Sequence, residues 1–251
     1  MTYPSLIIKF INPPPTTPFS PTWEFSLGQN NLSKINSNRL KKFLLSKEKE
    51  VLSISEFDET AYGTCLGKDS TTARSAYYNI FEWDQEDIHI IKEHIILTHK
   101  KYYEFIVPDS KPPSINLRGW MNIMRKGEQI KKHSHGYDSR NDYTYLSGNF
   151  VVSCEEITSK TIYVNPLVYW DEKTILERID YCGDNCLPWA YASKNIVGNL
   201  TIFPSYVPHF TTKHTSDTER ITLGFEIQPY GYTEFKSGGR VSSVESMYFD
   251  E

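Results

Sequence analysis

The sequence predicts a mainly β protein, a sandwich or barrel of antiparallel strands preceded by an α-containing N-terminal region. From Leu117 onward, short runs of β-branched and aromatic residues are divided by turn signals, as in RGWMNIM, YTYLSGNFVVSC, KTIYVNP, NLTIFPS and RITLGFEIQP. That is the rhythm of strands joined by tight connections. Before residue 110 the apolar residues recur at helical spacing in two stretches. With 251 residues, 39% of them hydrophobic and 14% aromatic, the chain can bury a core of its own.

In chain order, MTYPSLIIKFINPPPTTPF holds one apolar run, Leu6-Ile7-Ile8, followed by Lys9 and three prolines. The run is too short for a signal-peptide core or a membrane span, and no membrane association is expected. Residues 35–55 are expected to form a helix with Leu40, Phe43, Leu44 and Val51 inward and a Lys/Glu-rich outer face. A second helix is expected over 84–106, with acidic residues in its first turn and Lys and His in its last, as the macrodipole prefers. Its histidines, His89, His94 and His99, are five apart, which does not stack them on one face, so they read as solvated or packed.

Residues 1–110 are therefore expected to pack as a helical and mixed region on a strand domain at 111–235, with 236–251 a C-terminal tail. Thr161, Tyr163 and Asn165 alternate with Ile162, Val164 and Pro166, as a strand with one face on a core requires. The stretch 168–195 lacks such alternation and reads as an insertion of loop and short helix, with Trp170 and Trp189 as aromatic candidates for substrate contact.

Charge and cysteines exclude more than they identify. With 27 basic and 31 acidic residues the net charge is -4, so no nucleic-acid partner is expected. Four cysteines are few for a secreted disulfide scaffold, which points to a reducing, cytoplasmic setting. Cys182 and Cys186 have no second pair to complete a four-sulfur zinc site and read as loop thiols. Nothing here sets an oligomeric state.

The chemistry concentrates in KKHSHG. On a strand, residues two apart share a face, so His133 and His135 can reach one ion; on a helix they would lie about 200° apart. A third imidazole is available from His209, at the end of a predicted strand, and Arg220 and Thr222 share a face of the next.

The order W-x-N, G, H-x-H, LSG with an aromatic strand, G-N-L-x-I-F-P-S-x-x-x-H and R-I-T-L-G-F, over roughly residues 115–230, resembles the Fe(II)- and 2-oxoglutarate-dependent oxygenases. It is most similar to a small branch from bacteria and phages. The resemblance implies a double-stranded β-helix, the jelly-roll barrel of that superfamily, as the oxygenase core. It implies Fe(II), 2-oxoglutarate and O2, with release of succinate and CO2 and, usually, a hydroxylated product. His133 and His209 match the two metal histidines, and His135 stands where most of the superfamily has an acidic residue. Arg220 matches the residue that pairs with the distal carboxylate of 2-oxoglutarate, a role its planar fork of donors suits. Thr222 matches its hydroxyl partner; Asn122 and Tyr145 are further candidates for the cosubstrate pocket.

The usual site has two histidines and one carboxylate. Either His135 is a true third ligand, or a nearby carboxylate, Asp138 or Asp142, takes its place; Asp138, five residues from His133, is off the alternate-residue geometry. The substrate is expected to be a small molecule or a protein side chain. Two other readings stay open: a cupin-like metal enzyme that does not use 2-oxoglutarate, which would not need Arg220, and a non-enzymatic jelly-roll binding protein, which predicts no tight metal.

Overall fold

Over much of the molecule apolar residues alternate with polar ones along the strands and face outward under helices, while Ile8, Phe10, Phe25, Leu27, Tyr163, Phe203 and Val207 form a separate apolar cluster. The structure is a computed structural model that describes residues 5–11, 17–19, 24–58, 66–135, 144–155, 158–182, 189–230 and 244–246. In chain order it contains β1 (Ser5–Ile11), β2 (Glu24–Asn31), α1 (Ser37–Leu52), α2 (Glu86–Ile106), β3 (Ile115–Met124), β4 (Leu146–Ser153) and β5 (Thr161–Val164). Then follow α3 (Glu172–Cys182), β6 (Ala190–Ser193), β7 (Asn199–Pro204), β8 (His209–Thr211), β9 (Arg220–Pro229) and β10 (Val244–Ser246).

Two antiparallel sheets result, a larger one in the order β1-β2-β7-β4-β9-β3-β10 and a smaller one in the order β6-β5-β8, onto whose β8 edge His133 adds a bridge to His209. The chain crosses between them repeatedly: β3 large, residue 133 small, β4 large, β5 and β6 small, β7 large, β8 small, β9 large. That winding is a double-stranded β-helix, the jelly-roll arrangement.

Local chemistry explains the helices. The Asn36 side chain accepts from Arg39 N at 3.1 Å to cap α1, whose Leu40, Leu44 and Val51 are buried. Gln85 Oε1 caps α2 by accepting from Ile88 N at 2.9 Å, and Glu86 and Asp87 occupy the first turn. Ile88, Ile91, Ile95 and Tyr102 form the buried stripe of α2. The last turn carries no basic residue, unlike the expectation, because the helix runs on through Tyr103 to Ile106 and leaves His99, Lys100 and Lys101 a turn or more inside. Asp87, itself fully buried, binds Arg39 through Nε at 2.7 Å and Nη2 at 2.9 Å and so ties the two helices together.

Three further differences from the sequence reading concern strands. Leu6-Ile7-Ile8 belongs to β1, paired with β2, and Gly28–Asn31 of β2 pair with Ile202–Asn199 of β7, a distant partner that no local pattern reveals. Within 168–195 the expected short helix is α3, but Ala190–Ser193 form β6, an edge strand of the smaller sheet whose four small or mixed residues give no period to read.

Leu117, Met121 and Ile123 of β3, Phe150 and Val152 of β4, Leu200 and Ile202 of β7, and Ile221, Leu223, Phe225 and Ile227 of β9 pack together under α1 and α2. Ile162, Val164 and Phe210 pack under Ile175 and Ile179 of α3. Burying each such side chain contributes about 1.5–3 kcal/mol. Gly148 of the LSG motif permits the close fit of β4: a Cβ there would lie 2.1 Å from Phe225 Cζ and 2.4 Å from Thr201 O. No helix among the described residues is long and apolar enough to cross a membrane.

Candidate active site

Between the two sheets the interior is polar around Arg220 and apolar on the side where Phe25, Leu27, Tyr163 and Phe203 pack together next to His209. Arg220 and Thr222 of β9, Asn122 of β3, Thr161 of β5 and His209 of β8 are all buried there. Buried polar groups need partners, and most of these have them.

The backbone places the three histidines before any metal does. His133 and His209 exchange both main-chain hydrogen bonds, N to O at 3.0 and 2.9 Å, and His135 N donates to Ser205 O at 2.8 Å. The rings then gather: centroids are 4.2 Å apart for His133 and His209, 5.1 Å for His133 and His135, and 5.2 Å for His135 and His209. One ligand atom from each ring lies within 4.8 Å of the other two.

Hydrogen bonding fixes which atom that is. His133 Nδ1 lies 2.8 Å from Lys131 O, His209 Nδ1 lies 3.1 Å from Val207 O, and His135 Nδ1 lies 3.0 Å from Glu226 Oε1. Carbonyls and carboxylates only accept, so each Nδ1 carries a proton, and each ring in its neutral form keeps a free lone pair on Nε2. Burial, reinforced by the charge His135 would carry, pushes the His133 pKa down to about 4. Burial and the two neighbouring rings push His209 well below its ordinary value. Both rings are therefore neutral near pH 7, the form that binds a metal.

Glu226 was not among the residues singled out from sequence. It is buried on β9, on the same face as Arg220 and Thr222, and also takes a short ion pair from Arg118, its cross-strand partner in β3. Burial acts to raise its pKa, but Arg118 and His135 outweigh that and hold the carboxyl at about 2. Its position in RITLGFEI, six residues beyond Arg220 with the same parity, was the available signal.

Arg220 is 1% exposed, and no carboxylate among the described residues pairs with it. Nη2 donates to Thr161 Oγ1 at 2.8 Å and to Asn195 Oδ1 at 3.2 Å, and Nη1 approaches Met124 Sδ at 3.6 Å. Arg220 Nε and Asn195 Nδ2 are buried with no acceptor. Burial lowers the Arg220 pKa to about 10, which leaves it a cation at neutral pH. Asn122 faces Thr222 across the β3–β9 ladder, donating from Nδ2 to Oγ1 at 3.5 Å, and its Oδ1 accepts from Trp120 Nε1 at 3.1 Å and Thr72 Oγ1 at 2.7 Å. Thr161 and Asn195, which hold Arg220, were also not proposed from sequence.

Other candidates lie elsewhere. Tyr145 turns to α2, where its hydroxyl makes a short hydrogen bond with His99 Nε2. Trp170 and Trp189 stand 5.9 Å apart against the α3 core with the Arg178 guanidinium 5.3 Å over the Trp170 ring. Asp138, Asp142 and Cys186 lie outside the described residues, as does the side chain of Cys182. His89 is exposed beside Asp84, and His99 is fully buried.

Residues 118–226 match the model of a family described as "Putative 2OG-Fe(II) oxygenase". Among solved structures the chain is similar to AviO1 from Streptomyces viridochromogenes Tue57, with TM-score 0.50 and 11% identity over 81% of this chain and 90% of that one. It is also similar to the 2-oxoglutarate (alpha-ketoglutarate) dependent epimerase SnoN from nogalamycin biosynthesis (TM-score 0.49, 9% identity, 84% of each chain). A prolyl-4-hydroxylase from Pseudomonas putida aligns at TM-score 0.46 and 9% identity over 82% of this chain and 93% of that one. No curated protein matches the chain by sequence.

Proposed function

We propose, for a chain whose residues 118–226 belong to the 2OG-Fe(II) oxygenase family, that His133, His135 and His209 hold the iron and that Arg220 holds the distal carboxylate of 2-oxoglutarate. The family implies iron and 2-oxoglutarate, and the enzyme is a 2-oxoglutarate-dependent non-haem iron oxygenase. The observation that carries the residue assignment is the convergence of three Nε2 lone pairs, each ring locked in the metal-binding tautomer by an acceptor on Nδ1.

The donor sets fit both groups. Three neutral imidazoles suit a first-row divalent ion, and the orphaned donors Arg220 Nε and Asn195 Nδ2, with no carboxylate paired to the guanidinium among the described residues, suit a carboxylate. When bound, iron and 2-oxoglutarate supply the activation of O2, with decarboxylation to succinate and CO2 and oxidation of the substrate. The chain's own residues orient and shield. Arg220 binds its carboxylate away from water, where a charge-assisted bond is strongest. Thr222, held by Asn122, offers a hydroxyl on the same face. Phe203, with its ring 4.8 Å from His209, and Tyr163, with its ring 6.0 Å from His209, wall the metal side against solvent.

Hydroxylation of a small molecule or a protein side chain in the cytoplasm is the reading we adopt, supported by the near-neutral charge and the few cysteines. Anaerobic titration of Fe(II) into the protein, with and without 2-oxoglutarate, tests the whole assignment through the visible metal-to-ligand charge-transfer band of the chelate. A band that needs both components supports it. Tight metal binding with no band would favour a cupin-like enzyme without this cosubstrate, and no metal binding would leave a binding module.

A further inference from the structure

We infer that Glu226 is a positioning residue for the metal: it orients His135 and returns to the site the negative charge that a histidine in the usual carboxylate position leaves out. The inference rests on the reading of the three histidines as the metal centre, and it goes beyond that reading in assigning a fourth residue.

The three imidazoles are alike in tautomer and unlike in what holds them. His133 and His209 donate from Nδ1 to neutral backbone carbonyls, those of Lys131 and Val207. Only His135, the ligand that departs from two histidines and a carboxylate, donates to a charged group. A carboxylate on the far nitrogen of a ligating imidazole fixes the ring and makes its other nitrogen a stronger donor. It also places an anion one hydrogen bond beyond the ligand. Three neutral imidazoles alone would leave a divalent ion uncompensated in a buried setting, where an uncompensated charge is costly.

Glu226 is built for this. It is 4% exposed, and both its oxygens are committed, Oε1 to His135 and Oε2 to Arg118. It therefore stands behind the ligand and not among the ligands. Arg118 faces it directly in the β3–β9 register, 5.9 Å over the Trp120 ring, which also lies beside His135 at 5.8 Å between centroids. Arg118 thus shares the carboxylate with His135 and draws some of its charge away from the ring.

That division of labour separates a positioning role from simple packing. The test uses the metal-free full chain, Co(II) as an air-stable probe, and competition against a chelating dye, with melting of the apo proteins as the check on folding. Glu226→Gln keeps the shape and loses the charge, and it should weaken Co(II) binding by about 10–100-fold. Arg118→Gln should bind Co(II) at least as tightly as the native protein, because the full carboxylate charge then falls on His135. Native affinity in Glu226→Gln would overturn the inference, as would equal losses in the two variants, the outcome for a network that only packs. Should Glu226→Gln fail to fold, Arg118→Gln decides alone, a loss of affinity counting against the inference. A native protein that takes up no Co(II) overturns the histidine reading itself, and the role of Glu226 with it.

Discussion

Arg220 and Asn195 meet inside the barrel with a donor to spare on each: Nη2 of the arginine donates to the asparagine Oδ1 at 3.2 Å, while Arg220 Nε and Asn195 Nδ2 are buried without acceptors. A buried guanidinium with an unused donor, and no carboxylate paired to it among the described residues, is suited to an anion. Arg220→Met should therefore weaken 2-oxoglutarate binding to the Co(II)-loaded protein by about 2–5 kcal/mol, measured by calorimetry. The apo protein should melt no lower than the native one, since the change removes a buried charge with no carboxylate partner among the described residues. Unchanged cosubstrate affinity would refute the assignment.

Metal should stabilise the fold by mass action. At a free Co(II) concentration of about 100 times its Kd the gain is about 2.7 kcal/mol, which for a chain of this size raises Tm by roughly 5–10 °C. His135→Ala should abolish the rise and leave the apo melting temperature near the native value. A variant that keeps the full shift would show that His135 is not a ligand.

Acid should weaken the fold through His99. Burial pushes this imidazole down to about 4 from an ordinary 6.5. Between those values the unfolded chain binds a proton that the folded chain refuses, so stability is complete above about pH 6.5 and falls as pH drops toward 4, by on the order of 3 kcal/mol. Urea midpoints between pH 7 and 4.5 should fall less steeply in His99→Gln than in the native protein. Glu226, held at about 2, and Asp87, also held below its ordinary value with burial opposing and Arg39 lowering, lose their contributions only at lower pH.

Two glycines separate fold from site. A Cβ on Gly224 would come within 2.7 Å of the Trp120 ring, which hydrogen bonds Asn122 and lies beside His135. A Cβ on Gly148 would strike Phe225 and Thr201 O, on the side packed under the helices. Overpacking should cost each alanine variant about 1–3 kcal/mol, read by urea denaturation, but only Gly224→Ala should also reduce Co(II) affinity.

The legible parts of this protein were those with a short-range period. Thr161 and Tyr163 alternate with Ile162 and Val164, and the two sets do fall on opposite faces. The helices announced themselves by buried stripes such as Leu40, Leu44 and Val51. His133, His135 and His209 could be brought together on paper because ordered motifs, and not periodicity alone, linked them. What escaped depends on pairing across long stretches of chain. β2 is a strand because β7 is beside it, and Asn195 belongs to the arginine pocket because β6 delivers it there. Glu226 carries no local mark of its own, because its setting is made by Arg118 and His135 on either side of it.

The mutual backbone hydrogen bonds of His133 and His209 join residues 76 positions apart (133 to 209). Closing a loop of that size precedes any reward from the contact, and the crossings between the sheets must be in place before the two rings can meet. Of the three proposed ligands, an unfolded chain holds close together only His133 and His135, a weak two-point grip. Ion capture should thus come late in folding and report on the closed barrel as a whole, so that a refolding time course followed by metal uptake would lag one followed by helix formation.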